Sequence, residues 1–387
     1  MARHKRRKPG SGYTTQAPNK TWSAFFPKRG SGYHVRKGFS TRALAEAWLD
    51  SLLKQRVEKV DVAKGQTQTG EWIDKWIERS ARERGWKAKM LADVLYKLGY
   101  VKPYVGDHVL ADVLPDHIDT MLDELARDLA ENTIRQIRNY LFQVFESAVK
   151  RRYITFNPVI KPERRKKARQ KEPERLSAAM AAMLLHAADE TFYGLAWWLI
   201  VCCGLRAGEV CGLRRSDIDL NLAALHIDQE YTDLRGRPHR DLPKGDKQRV
   251  VPFPRALAVL ITAHFTVLTQ RAARGMRAGT WQEHQLVFPG RSGRPMNPTS
   301  LRHMLKRLTD HAALPPIVTH NLRHTCSGLL HTLGAPQDII GGLLGHGPRT
   351  ITGHYAPPDI ETMRPWVEQA YRLLAGEVEK AKAKQEA

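Results

Sequence analysis

Apolar residues recur every three or four positions over much of the chain, which is the spacing of an amphipathic helix. The clearest stretch is "NTIRQIRNYLFQVFESAVKRR", residues 132–152, whose other face carries Arg135 and Arg138. Its apolar positions share one helical face: Ile134, Ile137, Leu141, Val144, Phe145 and Ala148. "TRALAEAWLDSLLKQ" predicts another helix, capped by Thr41, with Leu44, Trp48 and Leu52 on one face. We expect both stripes to be core.

Short strands are predicted near the N-terminus. "TWSAFF" and "GYHVRKGF" are two strand candidates joined by the turn "PKRGS". With the helix that follows, they predict a small sheet-plus-helix domain after a basic arm, residues 1–20, that we expect to be disordered. The sheet would expose Lys28, Arg29, Arg36 and Lys37. A small accessory fold and a DNA-binding sheet both fit this pattern.

The second half of the chain is again mainly helical from Leu176, with one β insertion. "AALHIDQEYTD" and "QRVVPFP" are the strand candidates, and "RGRPHRDLPKGDK" between them predicts a long polar hairpin tip. Near the C-terminus an apolar stripe recurs at helical spacing: Trp366, Val367, Ala370, Leu373 and Leu374. A helix with such a stripe has to bury it, either on its own domain or on a neighbouring protomer.

Polar and charged segments divide the chain into domains. A polar joint lies at "AKGQTQTGE", and the cationic run "KPERRKKARQKEPER" predicts a solvated linker that could also follow a DNA backbone. The expected domains are residues 1–65 with the arm, a helical domain 66–160, the linker 161–175, and residues 176–387. The fold class is a multidomain chain, mainly α with small β-sheets.

Composition narrows the function classes. The net charge is +22 over 387 residues, which indicates a polyanionic partner such as nucleic acid. No run of eighteen apolar residues occurs and no apolar stretch follows the first charges, so neither a membrane span nor a secretory signal is expected. The four cysteines form no CxxC pair, which fits a reducing cytoplasm and argues against a zinc ribbon.

The segment "HNLRHT", residues 320–325, places two histidines and an arginine within one helical turn or so. His320 and Arg323 share a face if this segment starts a helix. A metal site would pair His320 with His324, but the glutamate of HExxH is missing and no cysteine or acidic cluster lies nearby. The chain also lacks a glycine-rich phosphate loop. We therefore expect no metal here, which leaves a solvated helix start and a phosphate-binding segment as the alternatives.

Four motifs occur in a fixed order: "CGLRAGEVCGLRRSDID", "PKGDKQRVVPFP", "THNLRHTCSGLLHTLGAPQDIIGGLLGHG" and "TGHYA". Together they resemble the tyrosine recombinases, in particular the phage integrases, over about residues 175–375. The resemblance implies an α+β catalytic domain of that type. It also implies that the helical domain is a core-binding domain, with Arg135 and Arg138 as candidate DNA contacts. The N-terminal domain is expected to bind arm-type DNA.

The resemblance also implies roles for individual residues. Arg206 and Arg323 match the two arginines that hold the phosphate, and Tyr355 matches the nucleophile that forms a 3′-phosphotyrosyl link. His320 and His346 match the histidines beside the phosphate. Lys244 matches the lysine that protonates the leaving oxygen, with Lys247 as a rival. Glu209 is expected to orient Arg206.

The expected activity is site-specific DNA recombination, without a cofactor because the phosphotyrosyl link conserves bond energy. The alternatives are DNA relaxation of the type IB topoisomerase kind and an inactive DNA-binding relative. Expected partners are double-stranded attachment sites, a homo-tetramer on paired sites, a host DNA-bending protein and a directionality factor, in the cytoplasm of a bacterial host. The resemblance favours docking of the C-terminal stripe on a neighbouring protomer.

Overall fold

A computed structural model describes residues 11–28, 32–57, 62–160, 175–243, 248–345 and 358–386. The chain divides into two compact units, Met1–Ala168 and Arg169–Ala387. The described residues are mainly helical and carry small antiparallel sheets, as the sequence predicts. Within these ranges, no helix combines the length and apolar character that crossing a bilayer requires.

The first unit begins with a three-stranded antiparallel sheet covered on one face by a helix. Its elements are β1 (Tyr13–Gln16), β2 (Trp22–Pro27), β3 (Tyr33–Phe39) and α1 (Arg42–Val57). Alternation along β2 turns Ala24 and Phe26 toward the helix. The helix contributes four buried side chains to the same small core: Ala45, Trp48, Leu49 and Leu52. The small sheet-plus-helix fold is therefore confirmed.

Two details of this sheet differ from the prediction. Residues 13–16 form β1 and pair with β2, although residues 1–20 were expected to be disordered. The strand has only four residues, so its alternation gave too little signal. Leu44 is exposed, because the buried stripe of α1 runs one position later, through Ala45. Thr41 does cap the helix, since its Oγ1 accepts from the Leu44 N–H at 3.3 Å.

The rest of the first unit is a helical cluster. Its helices are α2 (Val62–Gly65), α3 (Thr69–Arg84), α4 (Ala88–Gly99), α5 (Lys102–Val105), α6 (Pro115–Leu125) and α7 (Glu131–Lys150). The predicted stripe of α7 is confirmed: five of its six apolar residues are buried and Ile134 packs against them. The Trp72 indole of α3 donates to the Val144 carbonyl at 3.0 Å, which fixes α3 against α7.

The second unit surrounds one large core. Its helices are α8 (Ala178–Ala188), α9 (Gly194–Cys203), α10 (Ala207–Gly212), α11 (Leu257–Arg277), α12 (Pro298–His311), α13 (Thr319–Thr332), α14 (Gln337–Leu344) and α15 (Ile360–Glu386). Its strands are β4 (Ile218–Asp219), β5 (Ala224–Ile227), β6 (Glu230–Leu234), β7 (Arg237–Asp241) and β8 (Arg249–Pro252). Every residue of α9 is buried, which explains its lack of a polar face.

The β insertion has more strands than the sequence predicts. "AALHIDQEYTD" divides into β5, which pairs with β8, and β6, which pairs with β7. The strand β7 lies in the segment predicted as a polar tip. Arg235 and Gly236 both have positive φ, 53° and 81°, which suits a two-residue hairpin turn. Neither face of this hairpin carries a regular apolar pattern, so periodicity did not reveal it.

The C-terminal helix α15 packs on its own unit. Val367, Ala370 and Leu374 are buried in the same core as α8 and α9, and Trp366 is packed against it. Only Leu373 of the predicted stripe is exposed, at 37%. The expectation that this stripe docks on a neighbouring protomer is therefore wrong, because the core of its own chain already covers it.

Candidate active site

The turn between α9 and α10 presents Arg206. The helix α9 ends at Gly204, whose φ of 65° is left-handed, and a Cβ there would lie 2.4 Å from Leu344 Cδ2. Arg206 then precedes the first turn of α10, and its backbone N–H donates to Glu209 Oε2 at 2.7 Å. The Arg206 side chain returns to the same carboxylate, with Nη1 2.6 Å from Oε1. Glu209 therefore binds both the backbone and the side chain of Arg206.

A second arginine holds the other side of Glu209. Arg249, the first residue of β8, donates from Nη1 to Oε1 at 2.8 Å and from Nη2 to Oε2 at 2.9 Å. Burial would raise the pKa of Glu209, but the hydrogen bonds and charges of Arg249 and Arg206 outweigh it and lower the pKa to about 2. The carboxylate is therefore ionised at neutral pH although its side chain is 0% exposed.

Arg323, on the second turn of α13, is almost fully buried, with 2% of its surface exposed. Its Nη1 donates to the Gly204 carbonyl and its Nη2 to the Leu344 carbonyl. Burial and the positive charges of Arg206 and Arg249 lower the pKa of Arg323 to about 10, while Glu209 acts in the opposite direction. The guanidinium is still charged at neutral pH.

The cluster of Arg206, Arg249, Arg323 and Glu209 carries an excess of positive charge. The cluster contains three guanidinium groups and one carboxylate, which two of them bind, and this leaves a formal excess of two positive charges in a largely buried site. Of the two arginines that pair with Glu209, Arg206 is the more exposed, with 20% of its side chain accessible against 9% for Arg249. The arrangement can hold a phosphodiester by charge and by fork-shaped hydrogen bonds.

His320 lies one turn before Arg323 on α13 and is exposed. Its ring meets that of His324 edge to face, with 4.5 Å between centroids. Partial burial and the charges of Arg323 and Arg175 lower the pKa of His324, which favours its neutral form. The described residues contain no group of three or more His, Cys, Asp or Glu side chains that could hold a metal ion.

Four residues singled out by the sequence lie outside the described residues: Lys244, Lys247, His346 and Tyr355. The described chain resumes just after the two lysines, at residue 248, and Arg249 of the cluster follows directly. The described range that contains Arg249 ends at Gly345, one residue after Leu344, whose carbonyl accepts from Arg323. Among the residues that the sequence predicted, the structure thus brings together Arg206, Glu209 and Arg323, with His320 on the same helix as Arg323.

Arg249 is the site residue that the sequence analysis missed. It lies inside the quoted motif "PKGDKQRVVPFP", but only the lysines were considered there. Strand alternation supplies a signal, because Arg249 and Val251 share one face of β8 while Val250 faces outward and Val251 is buried. An arginine on the inward face of a strand needs an acidic partner.

The candidate DNA-binding residues differ in their surroundings. Lys28, Lys37 and Arg135 are exposed, Arg138 is half-buried, and Arg29 lies outside the described residues. Arg36 is exposed but forms an ion pair with Asp112, so binding a phosphate there would have to compete with this carboxylate. Four further cationic side chains line a groove of about 430 Å³ between α3 and α7: Arg79, Arg84, Lys150 and Arg151.

The fold and site together define an arginine-rich helical domain suited to a phosphodiester. Comparison with family models agrees. A model described as the phage integrase family matches residues 167–361, and one described as the phage integrase central domain matches residues 70–164. The chain therefore belongs to the phage integrase family.

Curated relatives of this chain are tyrosine recombinases. Tyrosine recombinase XerC of Rhodospirillum centenum is 29% identical over 226 residues, covering 56% of this chain and 59% of that protein. Tyrosine recombinase XerC of Xylella fastidiosa is 30% identical over 220 residues, covering 55% of this chain and 65% of that protein. The match thus spans only about three fifths of the length of these relatives.

Solved structures share the fold. The integrase of transposon Tn1549, in complex with transposon right end DNA, has a TM-score of 0.59 and 19% identity, covering 78% of this chain and 99% of that one. A lambda integrase tetramer bound to a Holliday junction has a TM-score of 0.56 and 19% identity, covering 92% of this chain and 100% of that one. At this identity, the similarity establishes the fold.

Proposed function

We propose that this chain is a site-specific DNA recombinase that cuts and rejoins DNA through a 3′-phosphotyrosyl intermediate. The observation that carries the proposal is the buried cluster of Arg206, Arg249, Arg323 and Glu209 with its excess of positive charge, in a chain of the phage integrase family. Curated relatives that are recombinases, and neighbours that are integrases, favour this activity over that of a type IB topoisomerase.

In the proposed mechanism Arg206 and Arg323 bind the non-bridging oxygens of the scissile phosphate. As the Tyr355 hydroxyl attacks phosphorus, charge grows on these oxygens, and the two guanidiniums stabilise the pentacoordinate transition state. His320 accepts the tyrosine proton or hydrogen-bonds the phosphate, and His346 donates a hydrogen bond to it. Because the cluster already holds excess positive charge before DNA arrives, little reorganisation is needed at this step.

Cleavage breaks the bond from phosphorus to the 5′ oxygen and forms the bond from phosphorus to the Tyr355 oxygen. The departing alkoxide is a poor leaving group, so it needs a proton, which Lys244 supplies in this proposal. Attack by the 5′ hydroxyl of another strand reverses the step and releases the tyrosine. The number of phosphodiester bonds is conserved, so neither ATP nor a metal is consumed.

DNA binding is assigned to both units. We assign residues 1–65 to arm-type DNA, 66–160 to the DNA flanking the cleavage site, 161–175 to a linker, and 176–387 to catalysis. The outer face of the N-terminal sheet supports the first assignment. There Tyr13 stacks on Phe25 at 4.7 Å and meets Tyr33 edge to face at 5.4 Å, and the sheet also carries exposed Lys28 and Lys37.

Assembly is part of the same proposal. We expect a homo-tetramer on paired attachment sites, with a host DNA-bending protein and a directionality factor as further partners in a bacterial cytoplasm. The lambda integrase that shares this fold is a tetramer on a Holliday junction in its solved complex, which supports the stoichiometry. Because the apolar stripe of α15 is buried in the core of its own unit, we expect the contacts between protomers to use other surfaces.

The test is the covalent intermediate. Tyr355→Phe is expected to bind attachment-site DNA as the wild type does, but to form no denaturation-resistant adduct on a nicked suicide substrate. Tyr371→Phe, which removes a hydroxyl from a half-buried tyrosine of α15, is the matched control and should still form the adduct. An adduct with Tyr355→Phe at the wild-type level would refute the assignment, and a wild type without any adduct would favour an inactive DNA-binding relative.

A further inference from the structure

All three guanidinium nitrogens of Arg249 donate to acceptors within the protein. Nη1 and Nη2 bind the two oxygens of Glu209 at 2.8 and 2.9 Å, and Nε binds the Leu343 carbonyl at 3.1 Å. Its side chain is 9% exposed. With each nitrogen engaged in this way, Arg249 is suited to holding other groups in place rather than to gripping a phosphate.

The three contacts join segments that are far apart in the sequence. Arg249 itself begins β8, five residues after Lys244. Glu209 belongs to the first turn of α10 and also holds Arg206. Leu343 belongs to the last turn of α14, two residues before Gly345. One side chain thus ties together the three segments from which the sequence draws Arg206, Lys244 and His346.

The packing around Arg249 leaves it little freedom. Gly345 has a φ of 62°, and a Cβ on it would lie 3.0 Å from Arg249 Cδ and 3.2 Å from Nε. A glycine therefore ends α14 where the guanidinium passes beneath the turn. Glu209 is likewise enclosed, so its two oxygens are fixed by the two arginines that share it.

We infer that Arg249 is a positioning residue for the proposed reaction: by gripping both oxygens of Glu209, it fixes the carboxylate that aims Arg206 at the scissile phosphate. This inference rests on the proposed function. Lysine at position 249 keeps the charge, but its single ammonium cannot reproduce a fork on two oxygens together with a third bond to a carbonyl. Glu209 would then be held on one side only, and Arg206 would lose its fixed direction.

The experiment compares cleavage by full-length wild type, Arg249→Lys and the exposed-arginine control Arg255→Lys. Arg255 lies six positions further along the chain and is exposed. On a nicked suicide substrate, we expect Arg249→Lys to form the covalent adduct on the order of 10²-fold more slowly, the effect of a misplacement of about 1 Å in a reacting group. Its Kd for a single site should stay within about twofold, and Arg255→Lys should match the wild type.

A substrate with a methylphosphonate at the scissile position separates positioning from damage to the fold. Its methyl group replaces a charged oxygen, so cleavage depends less on a correctly aimed Arg206. We expect the defect of Arg249→Lys to shrink at least tenfold on this substrate. Both substrates are cleaved by one protein preparation, so a loss of folded protein would slow cleavage of both equally. An equal slowing on the two substrates would therefore overturn the inference.

Two further outcomes would also overturn it. If Arg249→Lys cleaves the ordinary substrate at the wild-type rate, the two-pronged hydrogen bonding of Arg249 to Glu209 is dispensable. A defect that a 5′-bridging phosphorothiolate relieves, but a methylphosphonate does not, shows that Arg249 acts through the general acid instead of Arg206. In each case the wild type still forms its adduct, so the proposed function stands while the inference about Arg249 fails.

Discussion

Replacing Glu209 by glutamine removes the negative charge that two arginines share and keeps the shape of the side chain. In the folded chain the pKa of Glu209 falls from 4.5 to about 2. Each unit of pKa difference corresponds to about 1.4 kcal/mol. The difference of about 2.5 therefore means that ionised Glu209 contributes about 3 kcal/mol to the free energy of unfolding at neutral pH. The side chain is 0% exposed, so solvent screening does not reduce this value much.

The pH dependence has a definite sign. Because the folded pKa lies below the unfolded one, the stabilisation is complete above about pH 5 and is lost as the pH falls toward 2. Glutamine at position 209 does not titrate. The difference in unfolding free energy between wild type and Glu209→Gln should therefore be about 3 kcal/mol at pH 6 and about half of that at pH 3.

Urea unfolding of the full chain, followed by tryptophan fluorescence at several pH values, measures this difference. Glu190→Gln is the matched control, since Glu190 is exposed on the same unit. Its effect should stay within about 0.5 kcal/mol at every pH. A difference for Glu209→Gln that is constant with pH, or no larger than that of the control, would show that the two arginines do not stabilise the carboxylate as described.

Three further outcomes are expected. Lys244→Ala should slow cleavage far more than it weakens DNA binding, and a substrate with a 5′-bridging phosphorothiolate should restore the cleavage rate of this variant. If the same substrate rescues Lys247→Ala and not Lys244→Ala, the general acid is Lys247. In urea titrations, Leu374→Ala should lower the free energy of unfolding by about 3 kcal/mol and Leu373→Ala by less than about 1 kcal/mol. The reason is that Leu374 is fully buried and Leu373 is 37% exposed. Equal losses would contradict packing of α15 on its own unit. Removal of residues 1–65 should abolish footprints on arm-type sites, spare weak binding at the crossover site and flatten the dependence of binding on salt, whereas unchanged footprints would exclude a separate arm-binding domain.

Periodicity predicted the elements whose packing is strongly one-sided. The stripe of α7 is an example, since five of its six predicted residues are buried. Periodicity failed where apolar and polar side chains do not separate onto opposite faces of the element. Residues 13–16 form a strand of only four residues. The strands β6 and β7 carry polar side chains on both faces, so their pairing depends on the turn at Arg235 and Gly236.

The candidate site was predictable in its residue types but not in its pairing. The motifs indicated Arg206, Arg323 and Glu209, because each lies in a short segment with a recognisable neighbourhood. Arg249 reaches Glu209 across forty residues of sequence, and no local pattern determines that distance. The C-terminal stripe shows the same limit, since its spacing requires burial but does not specify which surface covers it.

The partners of Arg323 bear on how the site avoids repelling the DNA that we propose it binds. Its two terminal nitrogens bind the carbonyls of Gly204 and Leu344, at the C-terminal ends of α9 and α14. Helix C-termini carry partial negative charge, enough to orient a guanidinium without neutralising it. A second carboxylate in that place would have cancelled one positive charge and set a full negative charge beside the phosphate that we propose the site binds. With main-chain oxygens as its partners, the arginine is fixed and its charge stays available for that proposed role.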